Sequence, residues 1–165
     1  MRSDADFEEF YTVNYGKVVA LVTGVLGDWA EADDIAQETF ARALARWPRL
    51  SSYELPEAWV RQVAIRLAID STRRVRRTLR LLPRLVRPGV DLEEPALSLG
   101  FTPLGRALAR LPLREREVMV LYYVADLTAN RIAHERGIPV STVKARLASG
   151  RRRLERDLTP QERGR

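Results

Sequence analysis

Residues 126–158 read DLTANRIAHERGIPVSTVKARLASGRRRLERDL, and they carry the most specific pattern in the chain. Apolar residues recur at helical spacing on both sides of a Gly137-Ile138-Pro139 break, the signature of two helices joined by a tight turn. Ile132 and Ala133 are expected to pack the first helix. Gly137 stands where the turn needs a backbone angle that other residues avoid. Val143, Leu147, Leu154 and Leu158 are expected to form the buried stripe of the second helix, with Gly150 among them. Thr142, Ala145, Arg146, Ser149, Arg152 and Arg153 then point outward from a helix that starts near Ser141. A recognition helix offers its N-terminal residues to base edges in the major groove. Thr142 and Arg146 are therefore candidates for base contacts, and Lys144 and Arg151 on the flank for phosphate. The plain alternative is a helical hairpin that binds protein, or nothing.

Charge elsewhere comes in blocks, as a single blended surface would not. Residues 28–38 carry Asp28, Glu31, Asp33, Asp34 and Glu38 with no basic residue. Residues 71–90 carry Arg73, Arg74, Arg76, Arg77, Arg80, Arg84 and Arg87 and no acid. The formal net charge is +6 with a pI near 10.3, which favours a polyanionic partner. Only Lys17 and Lys144 are lysines. Arginine suits bidentate contacts to phosphate and guanine, and a GC-rich genome would enrich it equally. The chain has no cysteine and one histidine, His134, which excludes disulfides, thiol catalysis and cysteine or histidine-rich metal sites. No stretch is long and apolar enough to span a membrane, and MRSDADFEEFY at the start lacks a signal-peptide core. A cytoplasmic protein is expected, without membrane insertion.

Prolines and glycines cluster at Pro83, Pro88, Gly89, Pro95, Gly100 and Pro103, so 79–102 reads as a linker between two small helical domains, 1–78 and 103–165. Each would bury only a modest core. The first half suggests helices near 4–26, 30–47 (stopping before Pro48) and from Pro56 to about 77. The second suggests helices near 103–110, 114–124, 128–136 and 141–157. In the helix at 30–47, Ala32, Ala36, Phe40, Ala43, Leu44 and Trp47 share a core side, while Glu31, Asp34, Gln37 and Glu38 make an acidic stripe. Such stripes are usually solvated faces. In the helix after Pro56, Val60, Val63, Ala64 and Leu67 make the core stripe. Trp59, Gln62, Arg66, Arg73 and Arg77 line up elsewhere, an aromatic and a glutamine continuous with arginines, which suits a nucleic-acid surface. The competing reading makes Trp59 a boundary residue and the arginines a soluble tail. Tyr53, in the preceding loop, either joins a base pocket or covers the core.

At these residues the chain resembles the extracytoplasmic-function sigma factors. EADDIAQETFARALARW (31–47) is similar to the family's polymerase-binding helix, with Asp33, Asp34, Gln37, Glu38 and Phe40 matching. PEAWVRQVAIRLAIDSTRRVRR (56–77) resembles the block that reads and melts the −10 element. Residues 108–154 resemble the block that reads the −35 element. The matches cover nearly the whole chain outside the linker, in the family's order. The family often has Asn at Arg66, Glu at Arg131 and Gly at Ser141, and the first two departures add positive charge at expected DNA-facing positions.

The resemblance implies an all-α sigma factor with two small helical domains joined by a flexible linker. It implies that Glu31, Asp33, Asp34, Gln37 and Glu38 dock on the clamp helices of the largest polymerase subunit. Tyr53, Trp59, Gln62, Arg66, Arg73, Arg74 and Arg77 would serve the −10 element. Ser141, Thr142, Lys144, Ala145, Arg146, Ser149, Arg152 and Arg153 would serve the −35 element. Arg80, Arg84 and Arg87 of the linker would lie in the polymerase channel that later carries RNA. Partners would be core RNA polymerase, promoter DNA and an anti-sigma protein. No enzyme chemistry, metal or cofactor is expected, since no nucleophile-base set or phosphate-cradling glycine loop is present. Two other classes remain in view. A stand-alone helix-turn-helix regulator would bind a palindrome tightly without polymerase and leave the acidic helix unused. A sigma-like adaptor would tolerate Arg146→Ala and Arg152→Ala.

Overall fold

Gly27 ends the first helix and Asp28 begins the second. Gly27 adopts φ +77°, which glycine tolerates, and its N–H donates to the Thr23 carbonyl at 2.6 Å. The Asp28 carboxylate then accepts from the N–H groups of Ala30 and Glu31 at 2.9 and 3.2 Å, satisfying donors that a helix start leaves orphaned. A computed structural model describes residues 4–81 and 102–159. Among these residues there are seven helices and no strand: α1 (Asp4–Leu26), α2 (Trp29–Leu50), α3 (Pro56–Leu81), α4 (Pro103–Arg110), α5 (Leu113–Tyr123), α6 (Ala129–Arg136) and α7 (Val140–Leu158).

Several boundaries move from the sequence expectation. α2 does not stop at Pro48 but runs through it to Leu50. Proline removes one donor near the helix end, opposite Leu44. Pro48 and Leu44 both lie on the exposed side, where water can serve the freed carbonyl, and buried Trp47 and Leu50 carry the helix onward. Leu44 is therefore not core: it is 52% exposed. Thr39 takes the buried position instead, its hydroxyl satisfied by the Ile35 carbonyl at 2.8 Å. α3 continues past 77 to Leu81, because the first helix breaker is Pro83. The expected linker thus begins inside α3 and ends at Thr102, whose side chain caps α4 at Gly105. Its remaining residues, including Arg84 and Arg87, lie outside the described ones.

The helix-turn-helix forms as expected. Thr128 caps α6 at Arg131 (3.1 Å). Gly137 closes α6 at φ +63°, and Ile138 donates back to the Ala133 carbonyl at 3.1 Å, a common glycine-terminated helix end. Ile132, Ala133, Val143 and Leu147 are buried. Leu158 is not: its side chain, in the last turn of α7, is 42% exposed.

The core does not divide into two modest ones. A single cluster runs from Val18, Leu21, Val22 and Val25 of α1 into Val118, Met119, Val120 and Leu121 of α5. α1 packs on α2 and α3 and also on α4 and α5. Its second half is apolar around more than one face because it has neighbours on both sides. α5 is likewise held between α1 and α7. At the α1–α5 crossing a Cβ on Gly24 would sit 2.9 Å from Val120 Cγ1, so the two helices approach closely because Gly24 has no side chain. At the α5–α7 crossing Gly150 does the same for Met119. Fully buried side chains such as Leu21 and Leu121 each contribute about 1.5–3 kcal/mol.

Candidate partner and nucleic-acid interfaces

The acidic stripe of α2 is partly braced and partly free for contact. Asp34, Gln37 and Glu38 are exposed, while Glu31 and Asp33 are half-buried. The Tyr15 hydroxyl donates to Asp33 Oδ1 at 2.6 Å, and Gln37 Nε2 donates to Asp33 Oδ2 at 2.9 Å. Burial and that bond to Asp33 push the Tyr15 phenol up to about 12. Ser71 of α3 donates to Glu31. Glu38 pairs with Arg42 one turn on at 2.7 Å, an exposed pair that contributes only about 0.3–0.5 kcal/mol. The stripe is a rigid acidic face, anchored at Glu31 and Asp33 and open at Asp34, Gln37 and Glu38.

The second face begins at a small cleft of about 320 Å³ lined by Arg46, Pro48, Arg49, Leu50, Tyr53 and Trp59. Tyr53 is 42% exposed at its rim. Trp59 is only partly exposed: one side packs on the core and Arg46 lies over its ring, 5.9 Å from the centroid. Such a site can stack a base and hold its phosphate. Arg46 and Arg49 were missed from sequence. Their signal was a pair of arginines three apart around buried Trp47, which places them on the outer side just before the Tyr53 loop. Arg66, Arg73, Arg74 and Arg77 follow as an exposed row along α3. Gln62 does not join that surface freely. It turns toward α6, where its Nε2 donates to the Glu135 carbonyl at 3.3 Å.

On α7, Ser141, Lys144, Ala145, Arg152 and Arg153 are exposed, and Thr142 and Arg146 are partly so. Two of the expected contacts are held by α5: Ser149 donates to Glu115 Oε1 at 2.8 Å, and Arg153 Nε lies 3.1 Å from Glu115 Oε2. Arg151 lies over the rings of Tyr122 and Tyr123, at 5.4 and 5.6 Å, and donates to the Tyr123 hydroxyl at 2.7 Å. That bond raises the Arg151 pKa further. Arg131, expected to face DNA, instead pairs with Glu135 on its own helix at 2.9 Å. Among the described residues no cluster of metal-ligating side chains occurs, and no helix is long and apolar enough to cross a membrane.

Residues 10–78 match the family model for sigma-70 region 2, and residues 102–154 the one for sigma-70 region 4. The ECF RNA polymerase sigma factor SigC of Mycobacterium tuberculosis is 31% identical over 83% of this chain and 75% of its own length. The chain belongs to the extracytoplasmic-function sigma factors. SigW of Bacillus subtilis is 29% identical across 95% of this chain and 91% of the relative. The fold matches that of the sigma factor RpoE from Bartonella quintana, solved in complex with the anti-sigma factor NepR. That match has a TM-score of 0.73 at 21% identity and covers 94% of this chain and 98% of that one. As an extracytoplasmic-function sigma factor, the protein binds core RNA polymerase and directs promoter-specific initiation. The family is one of specificity subunits and not an enzyme class.

Proposed function

We propose that the work is divided between the two halves, with residues 1–78 binding core polymerase and the −10 element, residues 79–102 linking, and residues 103–165 reading the −35 element. The observation that carries this is the continuity of the second face. The Arg46–Tyr53–Trp59 cleft opens at the foot of the exposed arginine row of α3, so an unstacked base and its backbone can be held on one surface. Opening the strand costs unstacking energy, offset by stacking in the cleft. Asp34, Gln37 and Glu38, with Glu31 and Asp33 behind them, dock on the polymerase clamp helices. Thr142 and Arg146 contact base edges from α7, while Ser141, Lys144, Ala145, Ser149, Arg152 and Arg153 complete the DNA face. The protein acts in the cytoplasm without catalysis of its own. It is held inactive by an anti-sigma protein, as the relative from Bartonella quintana is solved with one.

The test is capture of core polymerase by wild type and by the triple variant Asp34→Arg, Gln37→Arg, Glu38→Arg. These positions are exposed, so the variant should fold. Wild type is expected to retain polymerase and the variant to lose it. Equal retention by both would remove the acidic face from the polymerase contact.

A further inference from the structure

Glu115 stands in the first turn of α5, and the helix end does not account for it. A glutamate at the third helical position often reaches back to the N–H of the capping residue. The residue before α5 is Pro112, which has no N–H to offer. Glu115 reaches across to α7 instead, and its side chain is only 13% exposed there. Oε1 accepts the Ser149 hydroxyl at 2.8 Å, and Oε2 lies 3.1 Å from Arg153 Nε. Ser149 and Arg153 are one helical turn apart, so a single carboxylate reaches both. Met119, one turn further along α5, sits against Gly150 at the crossing, which keeps Glu115 close to α7.

The two contacts differ in kind. Ser149 spends its one hydroxyl hydrogen on Glu115. Phosphate oxygens are acceptors, so Ser149 cannot donate to them while that bond stands. Oε2 of Glu115 is covered and accepts no hydrogen bond among the described residues. Arg153 Nε is near it but too oblique to donate. Arg153 is thus drawn to Glu115 by charge, while its guanidinium donors stay unspent and its side chain remains 45% exposed. The Nε edge faces Glu115, which leaves the two Nη groups to form a fork on a phosphate. An exposed arginine loses much rotamer freedom when it binds. Holding it in place beforehand reduces that loss.

We propose that Glu115 is a positioning residue for promoter binding: across the α5–α7 crossing it holds Arg153 where its guanidinium meets the phosphate backbone of the −35 element, and Ser149 holds Glu115. The proposal rests on the reading of α7 as the helix that reads that element. Ser149 then serves the DNA face through Glu115 and Arg153. A carboxylate beside a phosphate would by itself weaken binding, since like charges repel. Its presence here is favourable only through Arg153, so its effect must depend on Arg153 being there. Phosphate contacts carry no sequence information, so the effect must also be the same on cognate and scrambled DNA.

The test is a double-mutant cycle in holoenzyme made with the full chain. Glu115→Gln, Arg153→Gln and the double variant are titrated with a −35 duplex and a scrambled duplex at several salt concentrations. Arg153→Gln should weaken both duplexes and lower the salt slope by about one. Glu115→Gln should weaken both duplexes by about threefold or more, the coupling usual for side chains in contact. In the Arg153→Gln background the same change should cost nothing or strengthen binding, because only the repulsion is then removed. Ser149→Ala, which favours the helix, should repeat this pattern, and it decides the matter if Glu115→Gln disturbs folding. A purely structural role for Glu115 would give the same loss with and without Arg153, and that result overturns the proposal. So does a Glu115→Gln protein that binds as wild type, or one that loses only the cognate duplex. If Arg153→Gln itself changes neither affinity nor salt slope, the reading of Arg153 as a DNA contact fails, and the positioning role fails with it.

Discussion

Arg116 in α5 donates to the Val25 carbonyl at the end of α1, 2.8 Å away. The same guanidinium serves the carbonyls of Leu108, Ala109 and Leu111, at 2.9, 2.8 and 3.0 Å. One buried cation thus closes the C-terminal ends of α1 and α4, where carbonyls lack partners and the helix dipole favours positive charge. Burial, and secondarily Arg76, lowers the Arg116 pKa.

Arg116→Met keeps the length and removes every donor. Four carbonyls then lose a charged partner, so a loss on the order of 2–4 kcal/mol is expected. Urea denaturation checks it. A loss below about 0.5 kcal/mol would show that water replaces the guanidinium.

Tyr15 ties α1 to Asp33 of α2, and its pKa in the fold is raised to about 12 from about 10 in an unfolded chain. A raised pKa means that the neutral phenol is favoured by folding. Its contribution is complete below pH of about 10 and is lost as pH rises toward about 12. Tyr15→Phe should reduce stability by about 1 kcal/mol at neutral pH and by progressively less through the alkaline window. Denaturation at stepped pH tests the sign, and a wild-type–variant gap that stays constant through that window would refute it.

Tyr53 lies at the cleft rim and is exposed, so Tyr53→Ala should leave the fold intact. Holoenzyme carrying it should hold the single-stranded −10 element less tightly by about 1–3 kcal/mol, the usual worth of one stacked base. Fluorescence titration with a single-stranded −10 oligonucleotide measures this. Unchanged affinity would move the base pocket elsewhere.

Arg146 and Lys144 should separate by kind of effect. Arg146→Ala is expected to lose about 1–3 kcal/mol on the cognate −35 duplex and to relax discrimination there. Lys144→Ala should weaken cognate and scrambled duplexes alike and flatten the salt dependence. Holoenzyme binding to both duplexes at several salt concentrations decides. Selective loss from Lys144→Ala would exchange the two roles.

The helices were legible because their signals are local. Gly137, read as the turn residue, closes α6, and the structure uses Gly27, Asp28 and Thr128 at helix ends in the same local way. The candidate faces were legible for a similar reason, since a helix sorts residues by period. What failed was inference about neighbours. Leu44 and Leu158 fit a helical stripe but remain 52% and 42% exposed in the fold. Gln62 sits on a polar face, and only the approach of α6 to α3 draws it to Glu135; Arg131 meets the same Glu135 one turn along its own helix.

The sequence by itself determined an all-helical chain, its turns, its acidic and basic faces and its family resemblance, because backbone angles, helical period and charge order are written residue by residue. The tertiary structure alone decided that the two halves share one core and meet at Glu135. That outcome depends on long-range complementarity between surfaces: Gly24 leaves room for Val120, and Arg61 finds a carboxylate 74 residues away in the chain. Neither contact leaves a periodic or local trace.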